Sequence, residues 1–137
     1  MQRTFFGSKY GIMTDKARIL VIEDEPGISM MAVYLLTQAG CEVQAAWNAQ
    51  RGMKLAQTRE FDLITLDMNM PGGFEICSSL QENPFFQTPI VFLSTRFGED
   101  DVQLGRDLGV VDFIKKPFVA SDFVARILSP IRENAMA

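Results

Sequence analysis

The sequence predicts an α/β fold built on a parallel sheet, and three observations carry that prediction. From Ala17 onward, short apolar runs rich in β-branched residues alternate with amphipathic stretches of helical period, the pattern of consecutive βαβ units. The first run, Arg-Ile-Leu-Val-Ile at 18–22, is continuously apolar after its arginine rather than alternating, as a strand covered on both faces requires. Polar residues then collect just past the ends of the runs, where an open parallel sheet offers its ligand crevice.

Taken in order, the elements form five strand–helix pairs. The first strand stops at Glu23-Asp24-Glu25, and Pro26 suits the first turn of a helix. In that helix Ile28, Met31, Ala32, Leu35 and Ala39 recur at helical spacing, and Gly40 is placed to end it. Residues 41–46 read as the second strand, with Asn48 as N-cap of a helix carrying Met53, Leu55 and Ala56. The third strand, 61–66, ends at Asp67, and a loop with Pro71, Gly72 and Gly73 leads to a short helix through Ile76 and Leu80. The fourth strand, 90–93, runs directly into Ser94 and Thr95, and a helix over 99–108 ends at Gly109. The fifth strand, 110–114, is terminated by Lys115, Lys116 and Pro117, after which Ser121 is placed to cap a last helix through Phe123, Ile127 and Ile131.

A chain of 137 residues suits one core. One domain is therefore expected over 17–132. Residues 1–16 read as an N-terminal extension, poorly ordered or non-native, and 133–137 as a C-terminal tail, within a stretch from 129 that also reads as the start of a linker. No repeat or low-complexity tract interrupts the pattern. At 47% hydrophobic and 22% charged residues the composition is globular. No apolar run approaches the roughly 20 residues of a membrane span, and residues 1–12 lack the apolar centre of a signal peptide. A cytoplasmic location without membrane contact is the expectation. A net charge of −4 argues against direct nucleic-acid binding. With no histidine and two cysteines, Cys41 and Cys77, out of metal-ligand spacing, histidine-based zinc sites and Ser/His or Cys/His catalysis are excluded.

Chemistry-bearing residues stand at four strand ends: Glu23 and Asp24, Asp67, Ser94, and Lys116. Any one of them alone reads as a helix cap or a solvated loop residue, but together they bring three carboxylates, a hydroxyl and an ammonium to one rim. Three converging carboxylates repel one another at neutral pH unless a cation neutralises them. All-oxygen ligation with few protein donors points to Mg²⁺, with Mn²⁺ expected to substitute. An aspartate in such a site can attack phosphorus to give an acyl phosphate if charge on the transferring oxygens is stabilised. Lys116, Ser94 and the metal are suited to that.

These residues stand in the motifs Val21-Ile-Glu-Asp-Glu-Pro26, Leu66-Asp-Met-Asn-Met-Pro71, Phe92-Leu-Ser94 and Phe113-Ile-Lys-Lys-Pro-Phe118. In that order and spacing they resemble the response-regulator receiver family of two-component phosphorelays. The resemblance covers about 17–132. It implies a flavodoxin-like, doubly wound fold of five βα units with strand order 2-1-3-4-5. It also implies Asp67 as phosphoacceptor, Mg²⁺ held by Glu23, Asp24, Asp67 and the backbone carbonyl of Asn69, and Lys116 on the phosphoryl group. Ser94 and Phe113 match the family's switch positions. Lys115, beside Lys116, reads as a solvated strand residue. The implied partners are a histidine kinase or phosphotransfer protein upstream and a protein partner or output domain downstream. A homodimer through the face of the fourth helix, fifth strand and fifth helix is a further expectation.

Two departures stand out. The loop after Met70-Pro71 reaches Gly73-Phe-Glu75 sooner than the family's usual loop, and Thr95 occupies a position usually held by a small residue, which makes it a candidate gatekeeper. Three functions follow for comparison. The leading one is a signalling switch that catalyses only its own phosphorylation and dephosphorylation. The second is a receiver-like protein-binding scaffold that does not turn over phosphate. The third, an aspartyl-nucleophile phosphatase, needs an acid two residues past the nucleophile, where this chain has Asn69.

Overall fold

The computed structural model describes residues 16–136; the expectation of a poorly ordered extension over 1–16 falls, but for Lys16, outside them. The elements are β1 (Arg18–Ile22), α1 (Pro26–Gln38), β2 (Glu42–Ala46), α2 (Ala49–Thr58), β3 (Leu63–Asp67), α3 (Gly73–Gln81), β4 (Ile90–Ser94), α4 (Glu99–Asp107), β5 (Val110–Lys115) and α5 (Ala120–Met136). The strands form one sheet in the order β2-β1-β3-β4-β5, all pairs parallel. The order reverses between β1 and β3, which opens a crevice at their carboxyl ends.

The period-two alternation of each strand divides the core into two. Leu20, Ile22, Ile64, Leu66 and Phe92 pack with Leu55 of α2 and with Ile76 and Leu80 of α3. Ile19, Val21, Leu63, Val91 and Leu93 point the other way, onto Leu36 of α1 and Phe123 and Ile127 of α5. Strands buried on both faces account for their continuous apolar runs. Among the described residues no helix is long and apolar enough to cross a membrane.

Asn48 caps α2 as expected, its Oδ1 accepting the Arg51 N–H at 2.7 Å. Other local expectations need correction. β2 begins at Glu42, because the Cys41 N–H is taken by Leu36 O in the turn that closes α1. β3 begins at Leu63 and includes Asp67, β4 includes Ser94 and β5 includes Lys115, so Asp67 and Ser94 are the last rungs of their strands, while Glu23, Asp24 and Lys116 lie just past theirs. α4 ends at Asp107, with Leu108 as its cap. In α5 the first helical bond runs from Phe123 N–H to Val119 O, so Ser121 lies inside the first turn rather than at the cap. α5 continues to Met136 with Pro130 inside it. The expected tail is thus helical through that residue, carried by the inward stripe Phe123, Ile127 and Ile131.

The face of α1 is also rotated from its expected position. Ser29, Ala32 and Leu36 are buried, whereas Met31 is half exposed and Ala39 exposed. No charged residue occurs between Pro26 and Gln38, so no polar face fixes the helix's phase in the sequence.

β5 carries an irregularity: Ile90 pairs with Val110 and Val91 with Asp112, leaving Val111 unmatched. One extra residue of this kind resets which side chains face the core. Beyond it Phe92 pairs with Phe113 and Ser94 with Lys115, which brings Lys116 to the rim.

Candidate functional site

Each carboxylate of the rim is placed by a strand end. Glu23 leaves β1 with its N–H on Ala46 O at 3.0 Å, and the residue is 2% exposed. Its Oε2 accepts the Glu25 N–H at 3.2 Å, while Oε1 lies 2.6 Å from Lys116 Nζ. Asp67 closes β3, 4% exposed; its Oδ1 accepts the Asn69 N–H at 2.9 Å and its Oδ2 lies 3.3 Å from Lys116 Nζ. Asp24 is exposed at the mouth. One oxygen from each of Glu23, Asp24 and Asp67 lies within 4.8 Å of the others. Lys116 is buried and Lys115 exposed. The Lys116 N–H donates to Ser94 O at 2.7 Å, which ties the lysine to the end of β4.

One ammonium faces three carboxylates, and the titration of the cluster follows from that imbalance. Burial, together with the Asp67 hydrogen bond, pushes the Glu23 carboxyl up to about 7, against the pull of Lys116. Asp24 is also raised, by partial burial and by Asp67. Burial opposes the charge of Asp67 as well, but the Glu23 hydrogen bond, the Asn69 N–H and Lys116 outweigh it, and the Asp67 carboxyl is lowered. Burial thus favours the protonated form of Glu23, while its hydrogen-bond partners and Lys116 favour the charged form of Asp67. A buried aspartate kept ionised is a competent nucleophile. The excess negative charge and all-oxygen donor set suit a hard divalent cation.

Ser94 is fully buried. Its hydroxyl has two acceptors at 2.8 Å, Asn69 Oδ1 and Arg96 O. Thr95 is exposed, and its N–H also donates to Asn69 Oδ1, at 3.1 Å. The Asn69 side chain was not legible as a participant in the sequence, where only its backbone carbonyl had a place. Phe113 is half-buried. Its ring meets Phe92 and Phe97 edge-on, at centroid distances of 6.0 and 5.2 Å, and lies where a Cβ on Gly105 of α4 would come within 2.6 Å of it.

The short loop after Pro71 has a visible effect. Gly72 takes φ 82° as N-cap of α3, which favours glycine. A Cβ at Gly73 would stand 2.7 Å from Asp67 O, so α3 starts directly against the backbone of the proposed nucleophile. Far from this rim, a cleft of about 510 Å³ at the amino ends of β1 and β2 is lined by Arg18, Glu42 and Arg59. There Arg18 is paired with Glu42 at 3.3 Å.

Comparison with known proteins agrees with this geometry. Residues 19–128 match the family model of the response regulator receiver domain. The alkaline phosphatase synthesis transcriptional regulatory protein PhoP of Bacillus subtilis (strain 168) is 34% identical over 122 residues, 88% of this chain and 50% of that protein. The transcriptional activator protein IrlR of Burkholderia pseudomallei (strain 1026b) is 37% identical over 119 residues, 85% of this chain and 51% of that protein. The chain thus spans about half the length of the curated relatives it matches. Among solved structures, the chemotaxis protein CheY4 of Vibrio cholerae superposes with a TM-score of 0.76 at 30% identity, covering 83% of this chain and 100% of that one. With the sheet order, the acidic rim and the match over most of the sequence in agreement, this chain belongs to the response regulator receiver domain family of two-component signalling.

Proposed function

We propose that the chain is a cytoplasmic signalling switch whose phosphoacceptor is Asp67. The observation that carries this reading is the pairing of a buried Asp67, held ionised, with Lys116 at 3.3 Å in a cluster of three carboxylates. This chain has no histidine, so a phosphohistidine donor comes from outside it, on a histidine kinase or phosphotransfer protein. An Asp67 oxygen supplies the electron pair of the new O–P bond. The P–N bond to the donor imidazole breaks, and its electrons return to that nitrogen.

Glu23, Asp24, Asp67 and the backbone carbonyl of Asn69 would hold Mg²⁺, with Mn²⁺ as a substitute. Such a cation, when bound, supplies charge neutralisation for the transferring oxygens. Lys116 exchanges an Asp67 oxygen for a phosphoryl oxygen without leaving the rim. Ser94 offers its hydroxyl to a second oxygen, and Thr95 stands beside it as a gatekeeper. The altered state reaches a protein partner or output domain, or a second copy of this chain, through the face of α4, β5 and α5. The greater length of the regulatory relatives supports an output domain as recipient.

The test is incubation with acetyl phosphate and Mg²⁺, followed by intact mass. The protein is expected to gain one phosphoryl group, and Asp67→Asn to gain none, because the amide keeps the size and removes the nucleophile. Equal labelling of the two would place the acceptor elsewhere. No labelling of either would favour a protein-binding scaffold, the reading to which the close approach of α3 to Asp67 lends weight.

A further inference from the structure

We propose that Asn69 is a latch that couples the charge on Asp67 to the release of Ser94. This rests on the reading of Asp67 as phosphoacceptor. Asn69 touches both partners through different groups: its N–H donates to Asp67 Oδ1 at 2.9 Å, and its carboxamide oxygen accepts from Ser94 Oγ at 2.8 Å. The orientation of the amide is fixed by its other neighbour, since the Thr95 N–H at 3.1 Å can only donate. The two lone pairs of Asn69 Oδ1 are thereby filled by Ser94 and Thr95. The Thr95 hydroxyl, at 3.5 Å, is peripheral.

Ser94 has one hydroxyl proton, and its two acceptors, Asn69 Oδ1 and Arg96 O, both lie outside the carboxylate cluster. To reach a phosphoryl oxygen on Asp67, that hydroxyl must leave Asn69. Formation of the acyl phosphate moves the negative charge from the carboxyl onto phosphoryl oxygens, which together carry about two charges near neutral pH. Those oxygens are stronger acceptors than the neutral Asn69 carboxamide, so the Ser94 hydroxyl exchanges Asn69 Oδ1 for one of them and the latch opens. Phe113 already packs inward on Phe92, Phe97 and the notch at Gly105, so the serine and its latch are the parts left to move.

The test compares the wild type with Asn69→Ala, Ser94→Ala and the double variant. In unphosphorylated Asn69→Ala, the amide resonances of Ser94, Thr95, Arg96 and Lys116 are expected to shift toward their positions in the phosphorylated wild type. Phosphoryl uptake from acetyl phosphate should be about three- to tenfold faster, the worth of one hydrogen bond that no longer has to break. In the Ser94→Ala background the Asn69 substitution should add nothing. Uptake unchanged by Asn69→Ala, or a gain that survives without the Ser94 hydroxyl, would overturn the latch. If the wild type takes no phosphoryl group, the reading of Asp67 fails instead. The latch is then judged on hydrogen exchange at the Thr95 amide, which Asn69→Ala must speed for the contact to stand and which, if unchanged, removes it.

Discussion

Lys115 and Lys116 are neighbours in sequence with opposite surroundings, one exposed on β5 and one buried between Glu23 and Asp67. Removing one partner of a buried ion pair leaves the rest uncompensated, which costs about 3 kcal/mol. Lys116→Ala is therefore predicted to lower metal-free stability by that order, and Lys115→Ala by no more than about 0.5 kcal/mol. Urea unfolding in a chelator decides this, and equal losses from the two would sink the assignment. At this scale the sequence was informative where chemistry sits at a strand end, because the alternation of a strand and the stop signals after it place such residues. Choosing Lys116 over Lys115 followed from its place before Pro117. Asn69 was opaque for a physical reason. Its partners, Ser94 and Thr95, are set by the pairing of β3 with β4, and nothing local in Met68-Asn69-Met70 encodes them.

Helix α1 shows where element-level reading gives out. Pro26 and Gly40 bracketed it correctly, but an uncharged sequence left two apolar stripes of similar weight, and the structure buries the one containing Ser29. The Ser29 hydroxyl is buried without a hydrogen-bond partner. Ser29→Ala should consequently stabilise the protein by about 1 kcal/mol, since it removes an unmet polar group from the interior and installs the best helix former. Thermal unfolding is the measurement, and a lower midpoint for the variant would show that the hydroxyl has a partner after all. The end of α5 differs from its reading for another reason. The stretch from 129 read as a tail or the start of a linker, yet packing of Ile127 and Ile131 on the α1 side of the sheet carries the helix on to Met136.

For the whole molecule, the element sequence was legible because buried parallel strands and their helices repeat one pattern five times, whereas the strand order came from the family resemblance. The pH response of the fold was not, since it arises where those strands converge. Glu23, with a folded pKa raised to about 7 from 4.5, contributes stability that is complete below its unfolded pKa and is lost as pH rises through the folded value. Asp24 is raised in the same sense. Asp67 is lowered, so its contribution is present above its unfolded pKa and is lost only as pH falls through the folded one. Metal-free protein is thus predicted to lose stability between about pH 5 and about pH 8. Over the same interval Mg²⁺ affinity should rise, because binding expels the Glu23 proton. Denaturant unfolding at both pH values, with chelator and with Mg²⁺, tests this; a metal-free protein that gains stability across the interval refutes it.

The irregularity at Val111 also bears on how the molecule keeps apart from its own kind. An open sheet has two borders, and each exposes unpaired backbone groups on which a foreign strand can add. At one border β5 departs from regular pairing at Val111 and ends in an exposed Lys115. At the other, β2 is only 5 residues long, with Glu42 engaged by Arg18 at its start. Neither border offers a long, flat, apolar template, so the fold that collects its chemistry at one rim is also shielded along both sides from strand-by-strand association.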